Sequence, residues 1–258
     1  KIVFTSIFFI GLVFTLNAKT MPDNMIVSDD GKMLITAAKQ TSGLYNIESV
    51  KTIYLEFSQS DWWTQLTNNY GKDIDIPATL IYEGTSYPNV GIRFRGFTSY
   101  QNTKNSPKKS FNISLDFLDE KQKLEGYKTL NLNNCFEDPS FLREALYKRF
   151  ISDYIPATKV NFVKLVINGE DWGVYANVQQ LNKDFYKEWF LSDDGSNWRA
   201  YYPDTATVIH QGGMGWGMGF GAGYCSLNYL GDDYLTYTKY YTLKSSNREN
   251  LHHAHHSG

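Results

Sequence analysis

Four basic side chains near the middle of this 258-residue chain are spaced so that they could act on an anion. Arg93 and Arg95 lie two residues apart in Val-Gly-Ile-Arg-Phe-Arg-Gly, so on a β-strand they point to the same face. Such a pair needs an anion, a carboxylate partner or open solvent. Solvent is the common answer for arginine, but Gly96, which ends the strand, and the lysines that follow favour an anion site. Lys109 opens a run in which Phe111, Ile113, Leu115 and Phe117 alternate with polar residues, and it shares their parity. An ammonium on that inward face is costly unless it meets a negative group. Lys108 has the opposite parity and is expected in solvent. Arg143 lies beside an apolar stripe of Leu142, Ala145, Leu146 and Phe150, on a helix expected to begin at Asp138-Pro139 and end near Asp153.

These side chains must be positioned by strands and turns. Ile53, Leu55 and Phe57 alternate with polar neighbours as a half-buried strand does. A short helix should follow, with Ser60 as N-cap and Trp62, Trp63 and Leu66 on its apolar side. The twin tryptophans suit either a sugar-stacking platform or packing. Residues 75–83 and 87–95 read as strands joined through Gly84-Thr85-Ser86, and residues 97–107 as a polar loop. Residues 127–133 form a further strand. Residues 160–167 and 173–178 make a hairpin turned by Asn168-Gly169, followed by a short helix over 182–190. Strand-like alternation resumes over 234–244. The sum is an α+β fold, mostly antiparallel sheet with a few helices.

Composition bounds the function. Hydrophobic residues at 42% and charged residues at 20% are those of a folded globular protein, and a net charge of -2 argues against a general nucleic-acid surface. Residues 1–18 read as a signal peptide, with a basic Lys1, an apolar centre and Asn17-Ala18 at the end. That implies a secreted, cell-surface or periplasmic protein with no stable membrane span after signal removal. Residues 19–49 read as an irregular lead-in. Cys135 and Cys225 allow one disulfide or two unpaired thiols. Residues 211–224 hold seven glycines, but no βαβ unit surrounds them, so a flexible insertion is preferred to a phosphate loop. Residues 245–258 read as an unstructured His-rich tail.

The stretch resembles the CotH family, atypical protein kinases of bacterial spore coats and secreted bacterial proteins. The resemblance rests on Arg-x-Arg-Gly (Arg93 to Gly96), Lys-Lys-Ser-Phe (Lys108 to Phe111), Leu-Asn-Leu-Asn-Asn (Leu130 to Asn134), Asp138-Pro-Ser-Phe-Leu-Arg143, Asn168-Gly169 with Gly173-Val174-Tyr175, and Tyr241-Thr-Leu-Lys244. It implies a fold like the N-lobe and hinge of a protein kinase over 50–244, binding ATP and Mg2+ and phosphorylating serine in a protein substrate. It places Lys109 on the ATP phosphates, Arg95 and Gly96 in the loop above them, and Arg93 and Arg143 nearby. The family's Asn-x-Asp and Trp-Asp-x-Asp acids have no counterpart here. The expectation is therefore a nucleotide-lobe portion, incomplete at its C-terminal side, with no catalytic and no metal-binding residue in this chain and no phosphoryl transfer by itself. Where the family's hairpin carries a glutamate, this chain has Gln179. The alternative reading is a secreted non-catalytic module that binds protein or glycan on the same scaffold.

Overall fold

Alternation of β-branched and aromatic residues with polar ones makes seven strands of the chain between residues 51 and 179. A computed structural model describes residues 25–27, 34–36, 43–103, 106–190, 195–200, 229, 231–238 and 241–245. The chain divides into two compact units, Lys1–Leu191 and Ser192–Gly258. In the first, β1 (Met25–Val27) and β2 (Leu34–Thr36) form an antiparallel pair. There follow β3 (Lys51–Glu56), α1 (Trp62–Asn69), β4 (Ile76–Tyr82), β5 (Thr85–Arg95), α2 (Thr98–Asn102), β6 (Ser110–Ser114) and β7 (Thr129–Asn133). Then come α3 (Arg143–Ile151), β8 (Val160–Ile167), β9 (Glu170–Gln179) and α4 (Lys183–Phe190). In the second unit β10 (Asn197–Ala200) pairs antiparallel with β11 (Tyr241–Ser245), and α5 (Tyr234–Tyr237) lies between them in sequence.

The α+β class is as the alternation implies, but the sheet closes on itself. Its order is β3-β4-β5-β6-β7-β9-β8, with β8 returning to β3 as the one parallel pairing in the barrel. Closure leaves no strand with an unpaired edge. Ile53, Leu55, Leu80, Ile92, Phe111 and Leu165 fill the interior with essentially no exposure. On the outside, Ala145 of α3 packs with Val160, Ala176 and Val178 of β8 and β9.

The ends of elements differ from expectation wherever a turn or a neighbour decides them. The β4–β5 turn is Glu83-Gly84, both at positive φ (46° and 79°), so the strand resumes at Thr85 rather than after Ser86. Asn168-Gly169 (49° and 83°) turns β8 into β9 as its dipeptide predicts. Asp61, not Ser60, precedes α1, and it makes no side-chain cap. The loop over 97–107 contains α2, and the segment at 234–237 is helical, with the Asp233 side chain accepting from the Leu235 amide. The helix expected from Asp138 starts at Arg143, because Asp138 first closes a turn of its own. Its stripe is mostly unburied: Ala145 is covered, whereas Leu146 and Phe150 stand in solvent. The 1–18 segment, most of the 19–49 lead-in, the 211–224 segment, Cys225 and the tail beyond Ser245 lie outside the described residues.

Gly91 shows how tightly β5 is packed. A Cβ there would come 2.7 Å from Asp75 Oδ2 and 2.7 Å from Phe117 Cγ. The Asp75 carboxylate is held by Arg93, and Phe117 is met at its Cβ as well as its ring, so neither moves aside freely and Gly91→Ala should cost about 2 kcal/mol, of the size measured for overpacking. A urea midpoint unchanged from the parent would refute this reading of the contact.

Candidate anion site at one end of the barrel

The ladder brings the basic residues to one end of the barrel. Arg95 pairs with Ser110, the residue after Lys109, and Arg93 pairs with Asn112. Beyond β7, which runs beside β6, the segment 134–142 crosses the same end before entering α3. An aromatic cluster belongs to this end as well. Trp62 stacks on Phe57 (centroids 4.6 Å apart, 9° between planes), and both Trp62 and Trp63 meet Trp172 edge-on or tilted at 5.8 and 5.7 Å. The twin tryptophans are therefore packing residues, and their ring faces are engaged within the protein.

Each cation finds a different partner. Arg93 Nη1 donates to Asp75 Oδ1 at 2.8 Å, with Asp73 at 3.8 Å from Nε, so a carboxylate answers this arginine. Arg95 Nη1 donates to Asn133 Oδ1 at 2.8 Å, and Asn133 Nδ2 donates to Glu144 Oε2 at 2.8 Å, a relay from β5 through β7 to α3. Gly96 sits at φ 86°, which a residue with a Cβ rarely adopts, and its carbonyl accepts from the Tyr70 hydroxyl at 2.6 Å. Tyr70 in turn stacks on Tyr100 of α2.

Lys109 is 4% exposed, as an inward placement requires, yet among the described residues no carboxylate meets it. Its ammonium donates to the carbonyl of Thr103, to Thr103 Oγ1 at 3.2 Å and to Tyr100 O at 3.4 Å, and lies 4.7 Å from the Tyr100 ring centre. Carbonyl dipoles and a π-face take the place of the expected negative charge. Burial lowers its pKa from the ordinary lysine value. Lys108, expected in solvent, is half-buried: Nζ donates to Val174 O at 2.8 Å and lies 4.9 Å and 4.7 Å from the Phe141 and Tyr175 ring centres. β6 begins only at Ser110, so both lysines precede the ladder and strand parity does not fix where either side chain goes.

Arg143 starts α3 with its side chain 69% exposed, Nη1 donating to Glu137 O at 2.8 Å and Nε 3.7 Å from Asp138 Oδ1. Asp138 accepts from the amides of Ser140 and Arg143 and from the Ser140 hydroxyl. The hydroxyl first, and the two amides with it, hold its carboxyl below the usual range. The Asp-Pro-Ser-Phe-Leu-Arg string is thus a self-contained cap, and its acid is structural. Three non-glycine residues in this segment have positive φ: Cys135 (53°), Glu137 (58°) and Phe141 (63°). Strain of this kind collects where surrounding structure holds a loop in one shape. Asn134 supplies part of that hold, donating from Nδ2 to Lys108 O at 2.9 Å and from its amide to Ser110 Oγ at 3.0 Å. Cys135 carries a free thiol whose pKa burial raises.

A model of the family described as CotH kinase protein matches residues 92–244, more than half of the chain. The chain belongs to the CotH kinase protein family. The matched span includes Arg93, Arg95, Gly96, Lys109 and Arg143, and it crosses from the first compact unit into the second. No curated protein matches the chain. Where the CotH resemblance calls for a glutamate on the hairpin, Gln179 is held at both ends of its amide. Its Oε1 accepts from the Lys159 amide at 3.1 Å, and its Nε2 donates to Glu188 Oε2 at 2.8 Å. A carboxylate therefore does reach this place, from α4 rather than from β9. Among the described residues no group of three or more His, Cys, Asp or Glu side chains is arranged to hold a metal ion, and no helix is long and apolar enough to cross a membrane. Lys108, Phe141 and Tyr175 were missed by the sequence as a set. Only the Lys-Lys pair and the following Gly-Val-Tyr hinted at them, and their meeting depends on a loop shape no residue type announces.

Proposed function

We propose that this CotH-family chain carries the nucleotide-binding part of a kinase-type fold, one that binds ATP and, in the exported protein, serves phosphorylation of serine in a protein substrate. The observation that carries the reading is the gathering of Arg95, Gly96, Lys109 and Arg143 at one barrel end, within the span the family model matches. Phosphoryl transfer is catalysed chiefly by positioning and by cations on the phosphates, and ammonium and guanidinium groups brought to one end of the barrel fit that need. Mg2+ has no comparable set of acids among the described residues.

Titration of the purified chain with Mg-ATP, followed by its melting temperature, tests the proposal. A ligand bound only by the folded state stabilises it by mass action, by about 2.7 kcal/mol at a hundred times its Kd. The expected result is a saturable upward shift. No shift at millimolar Mg-ATP would overturn the reading.

One observation favours the second reading, a binding module for protein. Leu146, Tyr147, Phe150 and Tyr154 leave an apolar face on and just after α3 that is 61–69% exposed, the kind of surface that marks a protein contact. For glycan the support is weaker, because Trp62 stacks on Phe57 and Trp62, Trp63 and Trp172 pack edge-on or tilted against one another.

A further inference from the structure

An ammonium has three donors to place, and the two adjacent lysines place them differently. Lys109 uses all three inside the protein, on Thr103 O, Thr103 Oγ1 and Tyr100 O, and so pins α2 and the segment after it to the barrel end. Lys108 uses one, on Val174 O. The rest of its ammonium lies over the rings of Phe141 and Tyr175. Among the described residues no carboxylate lies within ion-pair distance of it. The groups whose charge bears on it are the Cys135 thiol and, after it, Asp171, which is already bound to Lys164 at 2.8 Å.

The surroundings of Lys108 are built rather than incidental. Its carbonyl is tied by Asn134 Nδ2, so the backbone at this lysine and the start of the strained segment move as one. That segment, with Phe141 at φ 63°, supplies one ring, and β9 supplies the other from the barrel interior, where Tyr175 has no exposure. Gly173, at φ 77°, brings its backbone close beside the ammonium: a Cβ there would stand 3.4 Å from Lys108 Nζ. A half-buried cation with unspent donors and no acid is incompletely compensated, because aromatic faces attract it but cannot accept its remaining hydrogen bonds. Burial accordingly lowers its pKa. An anion with several acceptor oxygens is the chemistry that completes it.

We infer that Lys108, seated between Phe141 and Tyr175, is the ammonium that meets the phosphate chain of the ligand, while Lys109 is a positioning residue that anchors the α2 segment. This rests on the nucleotide reading for the identity of the ligand, but not for the presence of a polyphosphate seat.

The test is calorimetric titration of the parent, Lys108→Met and Lys128→Met with Mg-ATP, with inorganic tripolyphosphate and with adenosine. Methionine keeps an apolar stem between the two rings and packs well against them. Lys128, paired with Asp116 elsewhere on the barrel, controls for the loss of one charge. Lys108→Met should weaken Mg-ATP and tripolyphosphate at least tenfold and leave adenosine within twofold, while Lys128→Met binds all three like the parent. Parental affinity of Lys108→Met for both polyphosphates overturns the assignment and leaves nucleotide binding standing. Binding of tripolyphosphate that depends on Lys108, with no binding of Mg-ATP or adenosine, sinks the nucleotide reading and keeps the seat. A parent that binds none of the three overturns both.

Discussion

Glu188→Ala should destabilise the barrel unit by about 3 kcal/mol, and more than Lys159→Met, although the two residues form one ion pair. Lys159 Nζ lies 2.9 Å from Glu188 Oε1 and 3.1 Å from the Tyr127 hydroxyl. The side chains differ in burial, 10% exposed for Lys159 and 26% for Glu188. Removing the acid leaves the more buried ion, a cation, with a neutral phenol for company, and a buried charge stripped of its partner costs about 3–5 kcal/mol. It also strands Gln179 Nε2, which donates to Glu188 and belongs to a residue only 3% exposed. Removing the cation instead leaves a carboxylate that keeps the donors from Gln179 and Tyr127 and has partial access to water. That loss should stay near 1–2 kcal/mol, because hydrogen bonds to a charged group are retained. Urea midpoints of the two variants decide the matter, and equal losses, or a larger one for Lys159→Met, would contradict the asymmetry.

Alkaline unfolding should be steep. Tyr45 and Tyr175 are 1% and 0% exposed, and among the described residues their hydroxyls have no hydrogen-bond partner. For both, burial is the chief cause that holds the phenol pKa well above the ordinary value, with nearby Tyr127 and Glu188 adding to it for Tyr45 and Cys135 for Tyr175. A raised folded-state pKa means that the folded protein keeps protons the unfolded chain has lost. The stability is fully present below about pH 10, where unfolded tyrosines are still neutral, and drains away as pH climbs from there toward the folded values. Each retained proton is worth about 1.4 kcal/mol per pH unit, so the pair gives a slope of about 2.7 kcal/mol per unit. Urea midpoints between pH 8 and 11, read beside tyrosinate absorbance, measure it. Buried Tyr82 and half-buried Tyr127 add to the slope in the same way, so Tyr175→Phe should take about 1.4 kcal/mol per unit off it and, by removing an unsatisfied hydroxyl, raise stability at neutral pH by about 1 kcal/mol. A flat profile through pH 11 would show that these rings reach water in the folded state.

What the sequence determined by itself is whatever depends on near neighbours along the chain. Period-two alternation marked β3 and β6, and Asn168-Gly169 named its own turn between β8 and β9, because each rests on backbone geometry within a few residues. The order of short motifs from Arg93 to Lys244 was enough to mark the family. The tertiary structure alone decided that the strands close into a barrel, since closure needs β8 beside β3 and nothing local announces it. It also decided which cation is neutralised and which is left with donors to spare. Arg93 meets Asp75, Lys109 meets the carbonyls of α2 and the segment after it, and Lys108 meets two rings brought from either side by a strained loop and a distant strand. The α3 stripe makes the same point from the opposite direction: its spacing was amphipathic, yet only Ala145 found a surface to cover. Periodicity states which side chains share a face, but burial and charge compensation depend on what the rest of the chain lays against that face.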